Sequence, residues 1–131
     1  MAGLIVLDAS VLIAYLDGHD EHHAAAEALL AHLIDDDLGA NSLTLAEVFV
    51  APLRDGRLRA VQEALSDLEI HELSFPIDTA VRLAQLRLTT GLKMPDCCVL
   101  LAADVTAGSV ASFDQRLAQA AEASGVTVLR G

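Results

Sequence analysis

The run Leu4-Ile5-Val6-Leu7 is aliphatic without a break and stops at Asp8. A strand with no polar alternation is one covered on both faces, the habit of parallel sheets packed between helices. Three more stretches repeat the pattern, an apolar run with an acid where the next helix begins. They are Asn41 to Val50 with Glu47, Lys93 to Ala103 with Asp96, and Gly108 to Leu117 with Asp114. If the apolar pieces are parallel strands, their carboxyl ends share one sheet edge, where open α/β folds place their ligands.

The rest of the chain predicts the same architecture. Helices are expected over Ser10 to Leu16, His19 to Leu33, Thr44 to about Leu53, Arg59 to Leu68, Ile77 to Leu88, from Pro95 onward, and Gln115 to Ala123. Short strands are expected at Ala40 to Leu43, Ile70 to Leu73, Ser109 to Phe113 and Val126 to Leu129. Thr44 followed three residues later by Glu47 has the form of a capping box. Pro95 suits a first helical turn, Gly91 a helix stop, and Cys97 to Ala103 is apolar all round, so its helix should be buried. Val81, Leu83, Ala84, Leu86 and Leu88 are the expected apolar positions of the Ile77 helix. Strands alternating with helices make a three-layer α/β/α sandwich with a mostly parallel central sheet. No repeat, linker or low-complexity segment divides the 131 residues, so a single domain over 1–131 is expected.

Hydrophobic residues make up 53% of the chain, an excess that suggests a self-association face or a partner groove. No run is long enough to span a bilayer. The first residues lack a basic region and cleavage site, so no export signal and a cytoplasmic location are expected. Cys97 and Cys98 are the only cysteines and read as small buried hydrophobes. The net charge of −11 opposes simple nucleic-acid binding. Arg54, Arg57 and Arg59, however, form a basic group by which a polyanion can approach. The absence of G-x-G-x-x-G after the first strand and of a G-x-x-x-x-G-K-[ST] loop argues against a dinucleotide domain or a P-loop.

Each acid also has a purely structural reading. Asp8 and Asp114 suit helix caps, Glu47 the capping box, and Asp96 the positive end of a helix dipole. Glu47 lies among Leu45, Ala46, Val48, Phe49 and Val50, which predicts a mostly buried helix where a lone carboxylate is costly. Four acids at four such junctions on one edge make coincidence a poor account. Four carboxylates gathered together repel unless a cation lies between them, and Mg²⁺ or Mn²⁺ favours oxygen ligands. A metal-dependent phosphodiesterase site is the reading that follows. Ser10 and Ser112 fit as hydroxyls that orient carboxylates. His19, His22 and His23 read as a solvated polar helix start, His32 and His71 carry no assigned role, and Asp104 falls too far along its helix to join Asp96.

Asp8-Ala9-Ser10, Thr44-x-x-Glu47, Pro95-Asp96 before an apolar helix, and Ser112-Phe113-Asp114-x-x-Leu117 resemble the motifs of the PIN-domain family in order and spacing. The compact length is most similar to the VapC-type toxins of bacterial toxin–antitoxin pairs. The chain departs from the common pattern in Cys97-Cys98 after the third acid and in Ser112 where threonine is frequent. The resemblance implies an Mg²⁺- or Mn²⁺-dependent endoribonuclease, usually a homodimer, held inactive by an antitoxin protein. It makes Asp8, Glu47, Asp96 and Asp114 the family's acidic positions, all catalytic and metal-binding, with Ser10 and Ser112 at its hydroxyl positions. Two other classes remain open at this stage. A phosphotransfer domain of haloacid-dehalogenase or receiver type also puts Asp at a strand end, but the former expects an acid where Ser10 stands. A non-catalytic RNA- or protein-binding module of the same fold has no use for a repelling acid cluster.

Overall fold

A computed structural model describes residues 3–130. It contains a five-stranded, all-parallel sheet in the order β3-β2-β1-β4-β5. The strands are β1 (Ile5–Leu7), β2 (Leu38–Asn41), β3 (Ile70–Leu73), β4 (Ser109–Ala111) and β5 (Val128–Leu129). Seven helices are found among the described residues: α1 (Ala9–Leu16), α2 (His23–His32), α3 (Ser42–Arg54), α4 (Leu58–Asp67), α5 (Thr79–Thr90), α6 (Met94–Thr106) and α7 (Gln115–Ala123). This is the three-layer sandwich expected from the sequence.

Side chains of a strand alternate between faces, and β1 feeds two cores. Ile5 and Leu7 pack with Val11 and Leu12 of α1, Leu29 and Leu30 of α2, Leu45 and Val48 of α3, and Val61 and Leu65 of α4. Val6 points the other way and joins Val99 and Leu100 of α6 and Leu117 and Ala121 of α7. Residues Cys97 to Ala103 of α6 are all buried, as the apolar run requires. At Gly108, entering β4, a Cβ atom would meet the Leu4 carbonyl oxygen at 2.3 Å, so only glycine admits this close approach of β1 and β4.

The chain builds outward from β1 to β2 and β3, then returns across the sheet to lay β4 on the other side of β1. The strand order reverses between β1 and β4, and such switch points open a crevice at the carboxyl ends of the strands. Asp8 follows β1, and Ser112 and Asp114 follow β4.

Several local expectations are overturned. The second helix starts at His23 rather than His19, because Asp17 and Asp20 each take the backbone N–H two residues on, from His19 at 2.9 Å and His22 at 2.8 Å. Such turns compete with helical bonding. Thr44 is not an N-cap. Asn41 caps α3 by accepting from Thr44 N at 2.8 Å, so β2 ends at Asn41, the helix begins at Ser42, and no capping box forms with Glu47. The α3 helix is not mostly buried either: Ala46, Glu47 and Val50 are exposed. β4 stops at Ala111, two residues early, and β5 starts at Val128 rather than Val126. The apolar positions expected in α5 divide. Leu83 and Leu86 touch the core, while Val81 is 62% and Leu88 88% exposed, and no residue of α5 is fully buried.

Candidate active site

Asp8 is the buried centre of the carboxyl edge, only 7% exposed. Ser10 Oγ donates to its Oδ2 at 2.7 Å and Ser112 Oγ donates to the same oxygen at 2.8 Å. Each hydroxyl also accepts a backbone bond, Ser10 Oγ from Phe113 N at 3.1 Å and Ser112 Oγ from Asp114 N at 2.9 Å. One carboxylate oxygen is thereby locked by groups from both sides of the switch point. The other oxygen has no protein donor among the described residues.

Asp114 caps α7, its Oδ1 accepting from Arg116 N at 2.9 Å and Leu117 N at 3.1 Å. Its capping role is therefore real, and its carboxylate still faces the neighbouring acids. Asp96 stands in the first turn of α6, half-buried. Burial, and then the negative charges of Asp8, Asp114 and Glu47, push its carboxyl up to about 6, against a smaller opposing pull from Lys93. Glu47 lies exposed on α3, and its carboxyl is raised by partial desolvation and then by Asp8. Asp96 thus lies in the field of the other three predicted acids, and Glu47 in that of Asp8.

Among the described residues, no three His, Cys, Asp or Glu side chains come close enough together to hold a metal ion. The donor set nonetheless suits a hard divalent cation, which takes oxygen ligands and is commonly held by one or two carboxylates with water completing its shell. A positive charge at the edge would offset the burial and the neighbouring negative charges that raise the Asp96 carboxyl.

Beside the acids runs a cleft of about 520 Å³, lined by Ile13, Leu16, Asp17, Glu47, Ala51 and Arg54 among others. Its two arginines are engaged, Arg54 pairing with Asp55 at 3.1 Å and Arg57 with the same carboxylate at 3.8 Å; outside the cleft, Arg59 lies 3.6 Å from Glu63. Asp104, set aside from the sequence, pairs with Arg82 on the outer side of α6. Cys97 and Cys98 are buried and unpaired, and burial pushes both thiols up. Of the histidines read as a solvated helix start, His19 lines the cleft, His23 Nδ1 bonds Ala14 O at 2.8 Å, and His22 stacks on Phe113. That ring pair was invisible in the sequence, since nothing local links two residues from opposite ends of the chain.

An all-parallel α/β sandwich with an acid-lined switch point defines the class, and the family model described as PIN domain matches residues 5–123. The chain belongs to the PIN-domain family. No curated protein matches it in sequence. Among solved structures, it is similar to FitAcB from Neisseria gonorrhoeae (24% identity, TM-score 0.71, covering 96% of each chain). It is also similar to VapC20 from Mycobacterium tuberculosis, a sarcin-ricin loop cleaving toxin (16%, TM-score 0.73, 97% of this chain and 99% of that one). A third is VapBC2 from Rickettsia felis bound to a promoter DNA fragment (11%, TM-score 0.73, 96% and 97%). At these identities the likeness is one of fold. Among the described residues no helix is long and apolar enough to cross a membrane.

Proposed function

We propose that this protein is the toxin of a type II toxin–antitoxin pair, an Mg²⁺- or Mn²⁺-dependent endoribonuclease that hydrolyses RNA phosphodiester bonds. The carrying observation is the buried Asp8 carboxylate at the switch point of a PIN-domain sheet, one oxygen fixed by Ser10 and Ser112 and the other without a protein donor among the described residues, with Asp96 raised beside it. Carboxylates set against one another in this way suit cation binding better than helix capping alone. The fold shared with VapC20 and FitAcB supports the toxin reading.

A divalent cation, when bound, supplies the Lewis acidity that phosphodiester hydrolysis requires. Asp8 and Asp96 are the residues that would hold it. Ser10 and Ser112 fix the Asp8 carboxylate so that its free oxygen keeps one direction. Glu47 and Asp114, exposed at either side, orient the attacking water.

Three partners complete the proposal. RNA is the substrate. The cleft beside Glu47, apolar at Ile13, Leu16 and Ala51 and acidic at Asp17, suits a basic, amphipathic antitoxin segment. A second copy of the chain fits the outer face of α5, where Val81, Ala84 and Leu88 are exposed at spacings typical of paired helices, with exposed Ile77 in the turn just before. The cytoplasm is the proposed location, in keeping with two unpaired thiols.

The test is cleavage of structured RNA by purified protein with Mg²⁺ or Mn²⁺, beside Asp8→Asn and Asp96→Asn. Cleavage that survives chelation or both substitutions overturns the reading. A phosphoryl-aspartate formed without RNA cleavage points to the phosphotransfer class instead.

A further inference from the structure

Gripping RNA is an electrostatic problem for this chain. It carries 19 acidic residues against 8 lysines and arginines, and phosphate contacts from basic side chains normally supply most of the affinity. The two arginines that line the cleft are held by Asp55. Stacking of bases on flat side chains needs no net charge and is the usual alternative in single-stranded RNA recognition.

One ring pair stands beside the acids. His22 and Phe113 stack with centroids 5.2 Å apart and planes inclined by 29°. Phe113 sits between Ser112, which donates to Asp8, and Asp114. Its backbone N–H donates to Ser10 Oγ, the other hydroxyl on Asp8. The ring is thus tied to the framework that fixes the central carboxylate, and it packs partly against the core under α1 to α4. His22 is also held. Its N–H donates to Asp20, and the next residue, His23, is tethered to the Ala14 carbonyl. The Nε2 of His22 lies 3.4 Å from the Glu21 carboxylate, and with one ring face laid on Phe113 the side chain is still 52% exposed.

We propose that His22, backed by Phe113, is a stacking platform for the nucleobase adjoining the phosphate presented to Asp8 and Asp96. The proposal rests on the ribonuclease reading and narrows its substrate. A base can reach the platform only when it is free of its own helix, so the strand is open there, in a loop, bulge or end. The stack also takes up binding that the overall negative charge denies.

The experiment uses a hairpin RNA carrying 2-aminopurine at successive loop positions, bound to Asp8→Asn protein with Mg²⁺ so that the strand stays intact. Quenching is expected at one position, absent in Asp8→Asn/His22→Ala and restored in Asp8→Asn/His22→Phe. In cleavage assays on otherwise wild-type protein, His22→Ala is expected to raise KM about tenfold with kcat little changed, the weight of one stacked base. An abasic nucleotide at the quenched position should erase the difference between wild type and His22→Ala. Quenching that persists in the His22→Ala protein, no quenching at any position, or an equal signal from fully paired duplex overturns the platform. RNA left uncut by wild-type protein sinks the ribonuclease reading, and the fluorescence series still decides the stacking.

Discussion

Asp8 and Ser112 lie 104 residues apart in the chain and meet in a buried hydrogen bond of 2.8 Å, with the serine fully enclosed. The bond ties the end of β1 to the end of β4 across the point where the strand order reverses. Ser112 also accepts from Asp114 N, so one hydroxyl sets two of the four acids.

Ser112→Ala should therefore weaken activity without abolishing it. Loss of a group that orients a ligating carboxylate typically costs about 10- to 100-fold in metal affinity or activity. Titrating Mn²⁺ into cleavage assays should show a higher half-saturation point with a smaller change at saturating metal. Ser112→Thr, which keeps the hydroxyl, should retain most of the activity. An unaltered Mn²⁺ dependence in Ser112→Ala would remove the serine from the site.

Asp96 gives a pH dependence of definite sign. Its folded carboxyl lies at about 6, above the ordinary aspartate value of 3.8, so the native state holds this proton more tightly than the unfolded chain does. Its contribution to stability is complete below about pH 4 and is lost as pH climbs through 6. Metal-free protein should lose this contribution over that window, and Asp96→Asn should flatten the curve in denaturant titrations. Cation binding needs the ionised form, so RNA cleavage should rise over the same range. A cleavage rate falling between pH 5 and pH 7 would contradict the assignment.

Asn41 offers a test of local structure. Its Oδ1 caps α3, while its Nδ2 is buried without a protein partner. Asn41→Ala should cost about 1 kcal/mol, the ordinary loss of a helix cap, softened because an unsatisfied donor disappears as well. Urea unfolding measures this directly. A loss above about 3 kcal/mol would mean that the amide does more than cap.

The outer face of α5 predicts self-association. Ile77, Val81 and Leu88 are mostly exposed, and a stable homodimer covers about 800 Å² on each partner. Sedimentation of purified protein should show a dimer, and the Val81→Lys/Leu88→Lys protein a folded monomer with unchanged far-ultraviolet circular dichroism, since neither side chain is buried within the single chain. A monomeric wild-type protein, or an undisturbed dimer in the double variant, would assign the face to another role.

The parallel sandwich was legible because its signals are local. The Leu4 to Leu7 run, the Pro95 helix start, the Gly91 stop at φ 71° and the apolar turns of α6 depend on near neighbours. The acids could be named for the same reason, each marking a junction. Asn41 outcompeted Thr44 for the cap of α3, a contest between adjacent side chains that spacing alone does not decide. The exposure of Glu47 and the outer face of α5 depend on which helix face meets the sheet. Strand order was hidden too, because β1 acquires β4 as a neighbour only through a crossover of the whole chain. The His22 and Phe113 stack is of the same kind, a meeting arranged by the fold.

The placement of β4 against β1 bears on how the protein is made. β1 is made well before β4, with Ser112 following Asp8 by 104 residues, yet both strands flank the same carboxylate. A nascent or prematurely terminated product that stops short of β4 carries Asp8 without Ser112 and without Asp114. On the ribonuclease reading, such a fragment lacks the hydroxyl that fixes the central carboxylate, so the site is assembled only once β4 has docked beside β1.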